Sequence, residues 1–301
     1  MKFYWIYEKI IRKLFPFWQK LGLNITLNHF YSPIPDLREL NNDLWETHNN
    51  LDGININEAN QLELLSLFKK KYQAEYDQFP KQRKETSNPY TYYINNQSFG
   101  PVSGEVLYCM IRNFKPMRII EIGSGNSTYC SAQAILKNKE ENNNLNCKLT
   151  SIDPYPNKIL RSGFPGFSKL IANKIQDVPI EEFDKLEEND ILFIDSSHVL
   201  KIGSDVQFEY LKVLPRLKKG VIIHIHDILL PAEYHKEWIL NENKFWNEQY
   251  LLQAFLAFNN AFEVLFAGAF LHFYHSDKLK LAFRTYSKKR FSTSFWIKKI
   301  I

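Results

Sequence analysis

The sequence predicts an α/β protein: a doubly wound, mostly parallel seven-stranded sheet with helices on both faces, plus a mainly helical N-terminal extension. Three observations predict it. From residue 118 onward, short apolar runs alternate with longer amphipathic stretches, the pattern of strands joined by crossover helices. Several of those runs end in an acid, at Glu121, Asp153, Asp195 and Asp227. The first run passes through Gly123-Ser124-Gly125 into a helical pattern over Tyr129–Leu136, which makes a strand, a tight turn and a helix start.

Taken in order, residues 1–90 read as the extension, 91–287 as the α/β domain and 288–301 as a basic, aromatic tail that docks or frays. In residues 2–20, Ile6, Ile10, Ile11 and Leu14 recur at helical spacing, with Lys2, Lys9, Arg12 and Lys13 between them. This predicts a helix packed on the main domain or on a second subunit; a peripheral membrane helix is the sharper alternative. Short helical patterns follow over 37–48 and, with Asn57 as its cap, over 57–78. A helix over 102–114 precedes the first strand at 118. Further strands are predicted at 149–152, 171–175, 190–194 and 221–225, then at 262–267 and 279–285 as a closing hairpin. Helices are predicted over 205–217 and 246–259.

The chain has 301 residues, enough for a full core, and its 45% apolar and 24% charged residues are ordinary for a globular protein. A net charge of +5, spread along the chain, gives no case for a nucleic-acid partner. Cys109, Cys130 and Cys147 show no metal-binding spacing and suit reduced thiols in a cytoplasmic protein. Cys130 reads as a small core residue. No apolar run approaches the length of a membrane span, and the N-terminus has no signal-peptide pattern.

The turn after the first strand is the candidate cradle. Its glycines let backbone N–H groups approach a ligand, and the helix start offers unpaired donors. A dinucleotide site would place a third glycine where Thr128 stands, and Glu121 would repel a pyrophosphate, so a NAD-dependent oxidoreductase is disfavoured. An acid beside the turn suits a cationic ligand. The Glu-x-Gly-x-Gly turn resembles the first motif of the class I S-adenosylmethionine-dependent methyltransferases. Under that resemblance Glu121, Gly123, Ser124, Gly125, Asn126 and Ser127 form the cofactor cradle, with Glu121 answering the cationic end. Asp153 would accept from the ribose hydroxyls, Asp177 from the adenine amino group, and Asp195 would also border the cofactor.

The span 118–227 is similar to one subgroup of these enzymes, through Asp195-Ser-Ser-His198, Lys219-Gly220 and His226-Asp227. The subgroup's usual Gly-Asp between Asp and His is Ser196-Ser197 here, so one acidic metal ligand is missing. Asp195, His198, His226 and Asp227 are expected to converge. Two mechanisms would use them. His198 or His226, with Asp195, would take a proton from the acceptor as a general base. Alternatively, Asp195, His226 and Asp227 would hold a divalent metal. His224 shares a face with His226 and reads as core. Tyr31, Tyr92, Tyr93 and Phe99 are candidate pocket walls.

The expected activity is methylation of oxygen on a small-molecule or glycan-like acceptor. Alternatives are a methyltransferase acting on a peptide carboxylate and a non-catalytic module that binds the cofactor. A homodimer is compatible with the sequence.

Overall fold

The computed structural model describes residues 2–290 and 292–301, with side chains from residue 8 onward. Two compact units divide the chain. The smaller runs to Thr47 and takes in the excursion His235–Phe245; the larger is His48–Tyr234 with Trp246–Ile301. The expected boundary at residue 90 therefore moves to residue 47. Residues 48–90 fold with the sheet because the helix Glu58–Tyr76 buries Leu65, Phe68, Tyr72 and Tyr76, and the Tyr76 hydroxyl donates to the Ala282 carbonyl at 2.8 Å.

In the smaller unit, a helix spans Lys2–Lys20 with Pro16 inside it. The Ile6 side chain lies outside the described residues. The helix expected over 37–48 shrinks to Asp43–Glu46. Lys236, at the start of the helix Lys236–Leu240, donates to the Asn42 side chain at 2.7 Å and lies 5.4 Å from the Trp45 ring centre.

In the larger unit the described residues form a sheet of seven strands: β1 Arg118–Ile122, β2 Lys148–Ile152, β3 Lys169–Ile171, β4 Ile191–Ile194, β5 Ile222–Ile225, β6 Phe262–Ala267 and β7 Phe295–Lys299. Their order is β3-β2-β1-β4-β5-β7-β6, with β1 to β5 parallel and β7 antiparallel to both of its neighbours. Strands β4 and β5 are buried at every residue, as central strands covered on both faces must be. The strand order reverses between β1 and β4, and ligands in open α/β sheets bind at the carboxyl ends of strands flanking such a point. Behind the sheet, Arg112 is buried and joins three helices, donating to Glu75 at 2.8 Å and to Asn138 and Glu141. No described helix is long and apolar enough to cross a membrane.

The sequence reading errs at the C-terminal side. Residues 279–285 show an alternation, Leu279, Leu281, Phe283, that reads as a strand. The structure instead buries Leu279, Ala282 and Phe283, a helical spacing, and leaves Leu281 57% exposed; the helix is Ser276–Ala282. The seventh strand comes from the supposed tail. Phe295, Trp296 and Ile297 are consecutive and all buried, because β7 sits inside the sheet between β5 and β6. Strand β3 is shorter and earlier than expected, since Ile175 begins a 3₁₀ turn. Asn57 holds the expected N-cap position, its carbonyl accepting from the Gln61 N–H at 3.2 Å, but its side chain makes no cap bond; the backbone is left-handed and the amide donates to the Val264 carbonyl at 3.1 Å. The helix expected over 205–217 is an α turn, a π turn over Glu209–Val213 and a 3₁₀ turn in succession.

The bend after β1 is fixed from beneath. Glu121 is 1% exposed and accepts from Ser127 (2.7 Å), Thr128 (2.7 Å) and Ser151 (2.5 Å). Burial raises its pKa to about 7, against the lowering effect of the three hydroxyls. The folded value lies above the unfolded one, so the neutral carboxyl stabilises the fold fully at low pH, and this is lost as pH rises from the ordinary carboxyl range to about 7. Glu121→Gln should therefore flatten the pH dependence of stability, with wild type losing about 2–3 kcal/mol relative to the variant between about pH 5 and 8. Identical pH slopes in urea denaturation would refute the buried-acid account. Trp296→Ala should cost about 3–5 kcal/mol in the same assay, as for an aromatic removed from a core; a fraying tail would leave stability unchanged.

Candidate active site

The bend after β1 lies directly against the end of β4. Gly123 has φ +81°, and a Cβ there would fall 2.1 Å from the Asp195 carbonyl oxygen, so only glycine fits. A Cβ on Gly125 would meet no heavy atom within 4 Å; this side of the bend is open. The Ser124 hydroxyl donates to Asp153 at the end of β2, and the Tyr155 N–H donates to the same carboxylate at 2.7 Å. Asn126 begins the helix Asn126–Glu141 and its amide reaches the Ser98 hydroxyl at 2.8 Å. Asp177 is exposed, at the end of the 3₁₀ turn after β3.

Glu121 differs from expectation. It points inward, with its oxygens taken by three hydroxyls, one of them from Ser127. Both residues shape the cradle from behind and leave no side-chain face for a ligand. Cys130 is buried, donates to the Gly104 carbonyl at 3.2 Å, and burial pushes its thiol pKa well up.

The second half of the site gathers at the ends of β4 and β5. His198 Nε2 lies 3.4 Å from Asp195 Oδ1 and 3.7 Å from Asp227 Oδ2, while His226 Nε2 lies 3.6 Å from Asp227 Oδ1. The four residues expected to converge are therefore together. His198 (φ +59°) and Asp227 (φ +53°) both adopt left-handed backbone, and Thr293 donates to Asp227 at 2.9 Å. His226 is buried, with no hydrogen-bond partner at Nδ1, and its ring centre is 4.9 Å from that of Phe99. His224 is fully buried, stacked on Phe193 at 4.1 Å, and burial keeps it neutral. Of the candidate walls, Phe99 touches the histidines. Tyr92 is core, its hydroxyl tied to the Phe99 carbonyl at 2.9 Å, and Tyr31 belongs to the other unit.

One participant escaped the sequence reading. Glu248 opens the helix Glu248–Leu256, is fully buried, and holds His198 Nδ1 at 2.9 Å; the Asn247 and Glu248 N–H groups also donate to the His198 carbonyl. In sequence it is an ordinary acid in a helix's first turn, where the dipole alone explains it. The signal was its fifty-residue separation from His198, which only the fold closes. The serines at 196 and 197, standing where an acid was expected, bond to acids instead: Ser196 to Glu209 at 3.0 Å and Ser197 to Asp205 at 2.6 Å.

Burial would lower the His198 pKa, but its contacts with Asp195 and Glu248 outweigh burial and raise it well above the ordinary value. Burial likewise opposes ionisation of Asp195, yet His226 and His198 hold its pKa below normal. Burial pushes Glu209 well up, with Glu248 and Asp205 adding repulsion, so it stays protonated. Burial also pushes the Glu248 carboxyl up, with its contact to His198 working against that. The cluster thus sets a protonated imidazole among three acidic side chains, an arrangement rich in oxygen acceptors. Asp195, His198 and Asp227 each offer one atom, all within 4.8 Å of one another. A metal would therefore take His198, not the expected His226, beside the two aspartates, with Glu248 orienting the ring from behind.

Residues 120–228 match the family model described as "Methyltransferase domain". An uncharacterised protein of Archaeoglobus fulgidus is 33% identical over 179 residues, which cover 57% of this chain and 77% of that protein. Among solved structures, the apo-structure of CmcI superposes with a TM-score of 0.39 at 14% identity, over 76% of this chain and 84% of that one. A proposed protein-L-isoaspartate O-methyltransferase of Plasmodium falciparum, solved with S-adenosyl-L-homocysteine, gives a TM-score of 0.31 at 16% identity, over 55% and 83%. The chain thus belongs to one family with the archaeal protein, and its residues 120–228, which run from within β1 to just past β5, are similar to a methyltransferase domain.

Proposed function

We propose that the protein methylates a hydroxyl oxygen of a small-molecule or glycan-like acceptor, with His198 as general base and Glu248 positioning it. The observation that carries this reading is the buried Glu248–His198 contact of 2.9 Å, which leaves Nε2 facing Asp195 and Asp227 beside the cradle. The sulfonium of the methyl donor supplies the leaving methyl and loses its charge in doing so. Around it, Gly123, Ser124, Gly125 and Asn126 line the bend, Asp153 takes the ribose hydroxyls in place of Ser124, and Asp177 takes the adenine amino group.

Without a cation, Asp195 and Glu248 keep the proton on His198. A positive charge entering at the Asp195–Asp227 end competes for those carboxylates and loosens their hold on the Nε2 proton. The imidazole then becomes able to accept, and Glu248 fixes Nδ1–H as the tautomer that leaves Nε2 free. Positioning of the acceptor oxygen against the methyl group supplies the rest. A peptide carboxylate fits less well: it would enter a cluster of acidic side chains, and it has no proton for His198 to remove.

The donor set Asp195, His198 and Asp227 supports a second, metal-assisted reading. Its mixed oxygen and nitrogen atoms suit manganese, iron or zinc better than magnesium, and a bound ion would acidify the acceptor hydroxyl. Asp195 and Asp227 would then be ligands, and Glu248 would still hold the ring.

Asp153→Ala should weaken S-adenosylmethionine binding by about 1–3 kcal/mol in titration calorimetry; unchanged affinity excludes the ribose role. His198→Asn should lower methyl transfer to cell extract by about 10²–10⁴-fold with cofactor affinity retained. Normal turnover would end the base assignment, and cofactor binding without turnover by wild type would favour a non-catalytic module. Glu248→Gln should lower the His198 pKa and move the pH–rate profile toward lower pH, an effect that mere loss of packing would not produce. Loss of activity on chelation, restored by manganese, would favour the metal-assisted reading.

A further inference from the structure

The helix Lys2–Lys20 leaves an apolar line uncovered. Ile10 is 51% exposed, Leu14 40%, Phe17 51% and, in the turn that follows, Leu21 58%. Spaced four, three and four residues apart, they project along one face. Lys9, Lys13 and Lys20 recur at the same kind of spacing and run along one flank of that line. Among the described side chains of the helix the acid is Glu8, already paired with Arg12 at 2.6 Å. In the same unit Phe30 (86% exposed) and Tyr31 (79%) stand out together, ring centres 4.0 Å apart.

We propose that this face lies in the headgroup layer of an anionic lipid bilayer, apolar line down and lysine flank against the lipid phosphates. The arrangement is that of an interfacial helix: an apolar stripe bordered by cations, too charged to span. Charge decides against the main competitor, a second copy of the chain. Pairing two such helices antiparallel would set lysine flank against lysine flank. Pairing them parallel would set lysines against a flank without acids, because Glu8 lies on the far side of the helix. A bilayer rich in acidic headgroups satisfies both the stripe and the flank. This inference is independent of the acceptor and of the base.

The test is co-sedimentation of the full chain with vesicles of phosphatidylcholine alone and of phosphatidylcholine mixed with phosphatidylglycerol. Binding should be confined to the mixed vesicles and be released by salt. Lys13→Glu with Lys20→Glu should weaken it by more than about fivefold per lysine, the factor for one charge near an anionic surface. Leu14→Ser with Phe17→Ser should abolish it, while calorimetric binding of S-adenosylmethionine, unchanged in both variants, reports that the sheet is folded. Equal binding to neutral vesicles, no binding to either, or insensitivity to both double variants would overturn the proposal. So would a sedimentation-velocity dimer that Leu14→Ser with Phe17→Ser dissociates without any vesicle binding, which would make the stripe a self-association seam.

Discussion

A carboxyl with no access to water holds the bend after β1 in place. Three hydroxyls close on Glu121 from β2 and from the first turn of the cradle helix, so strand, neighbouring strand and helix start meet at one side chain. The bend so fixed lets Gly123 press against the Asp195 carbonyl, and that contact sets the distance between the ends of β1 and β4. Everything at the candidate site is measured from that contact. The open side of Gly125, the Asp153 carboxylate and the histidine cluster all stand on the same edge of the sheet because the strand order turns there. A residue that looks like a ligand contact in sequence works here as a foundation.

The cluster at β4 and β5 is organised by charge balance. Burial alone would strip the proton from His198, and burial alone would neutralise Asp195. Each keeps its charge because the other is near, and Glu248 adds a second anchor behind the ring. Glu209, at the start of the π turn, stays neutral because burial opposes its ionisation and the nearby acids Glu248 and Asp205 add to that. The result is a sheet edge at which Asp195 and Asp227 both approach the Nε2 side of the imidazole while Glu248 holds its Nδ1 side.

Much of this was legible in the chain itself. Parallel central strands covered on both faces are apolar almost throughout, so DILFI and VIIHI announced themselves, and the acids that follow them marked the edge of the candidate site. The glycine bend carried its own meaning, because only glycine tolerates both the backbone angle and the contact at 123. Three things were not legible, each for a physical reason. Leu279 to Phe283 satisfies helical and extended spacing equally, and tertiary burial chose the helix. The Phe295–Ile297 run looked like a tail because nothing local says that β7 will be inserted between two earlier strands. Glu248 is silent because its partner lies fifty residues away, and Glu121 misled because a short carboxylate beside a turn can face either way.

His198 and Asp227 also bear a tension. Both occupy a backbone region that costs a side chain with a Cβ about 1 kcal/mol, and glycine at either position would remove that cost. It would also remove the imidazole or the carboxylate. At these two positions the most stable sequence and the one the proposed reaction needs part company, so thermal hardening by backbone relaxation would remove the very side chains on which that reading rests.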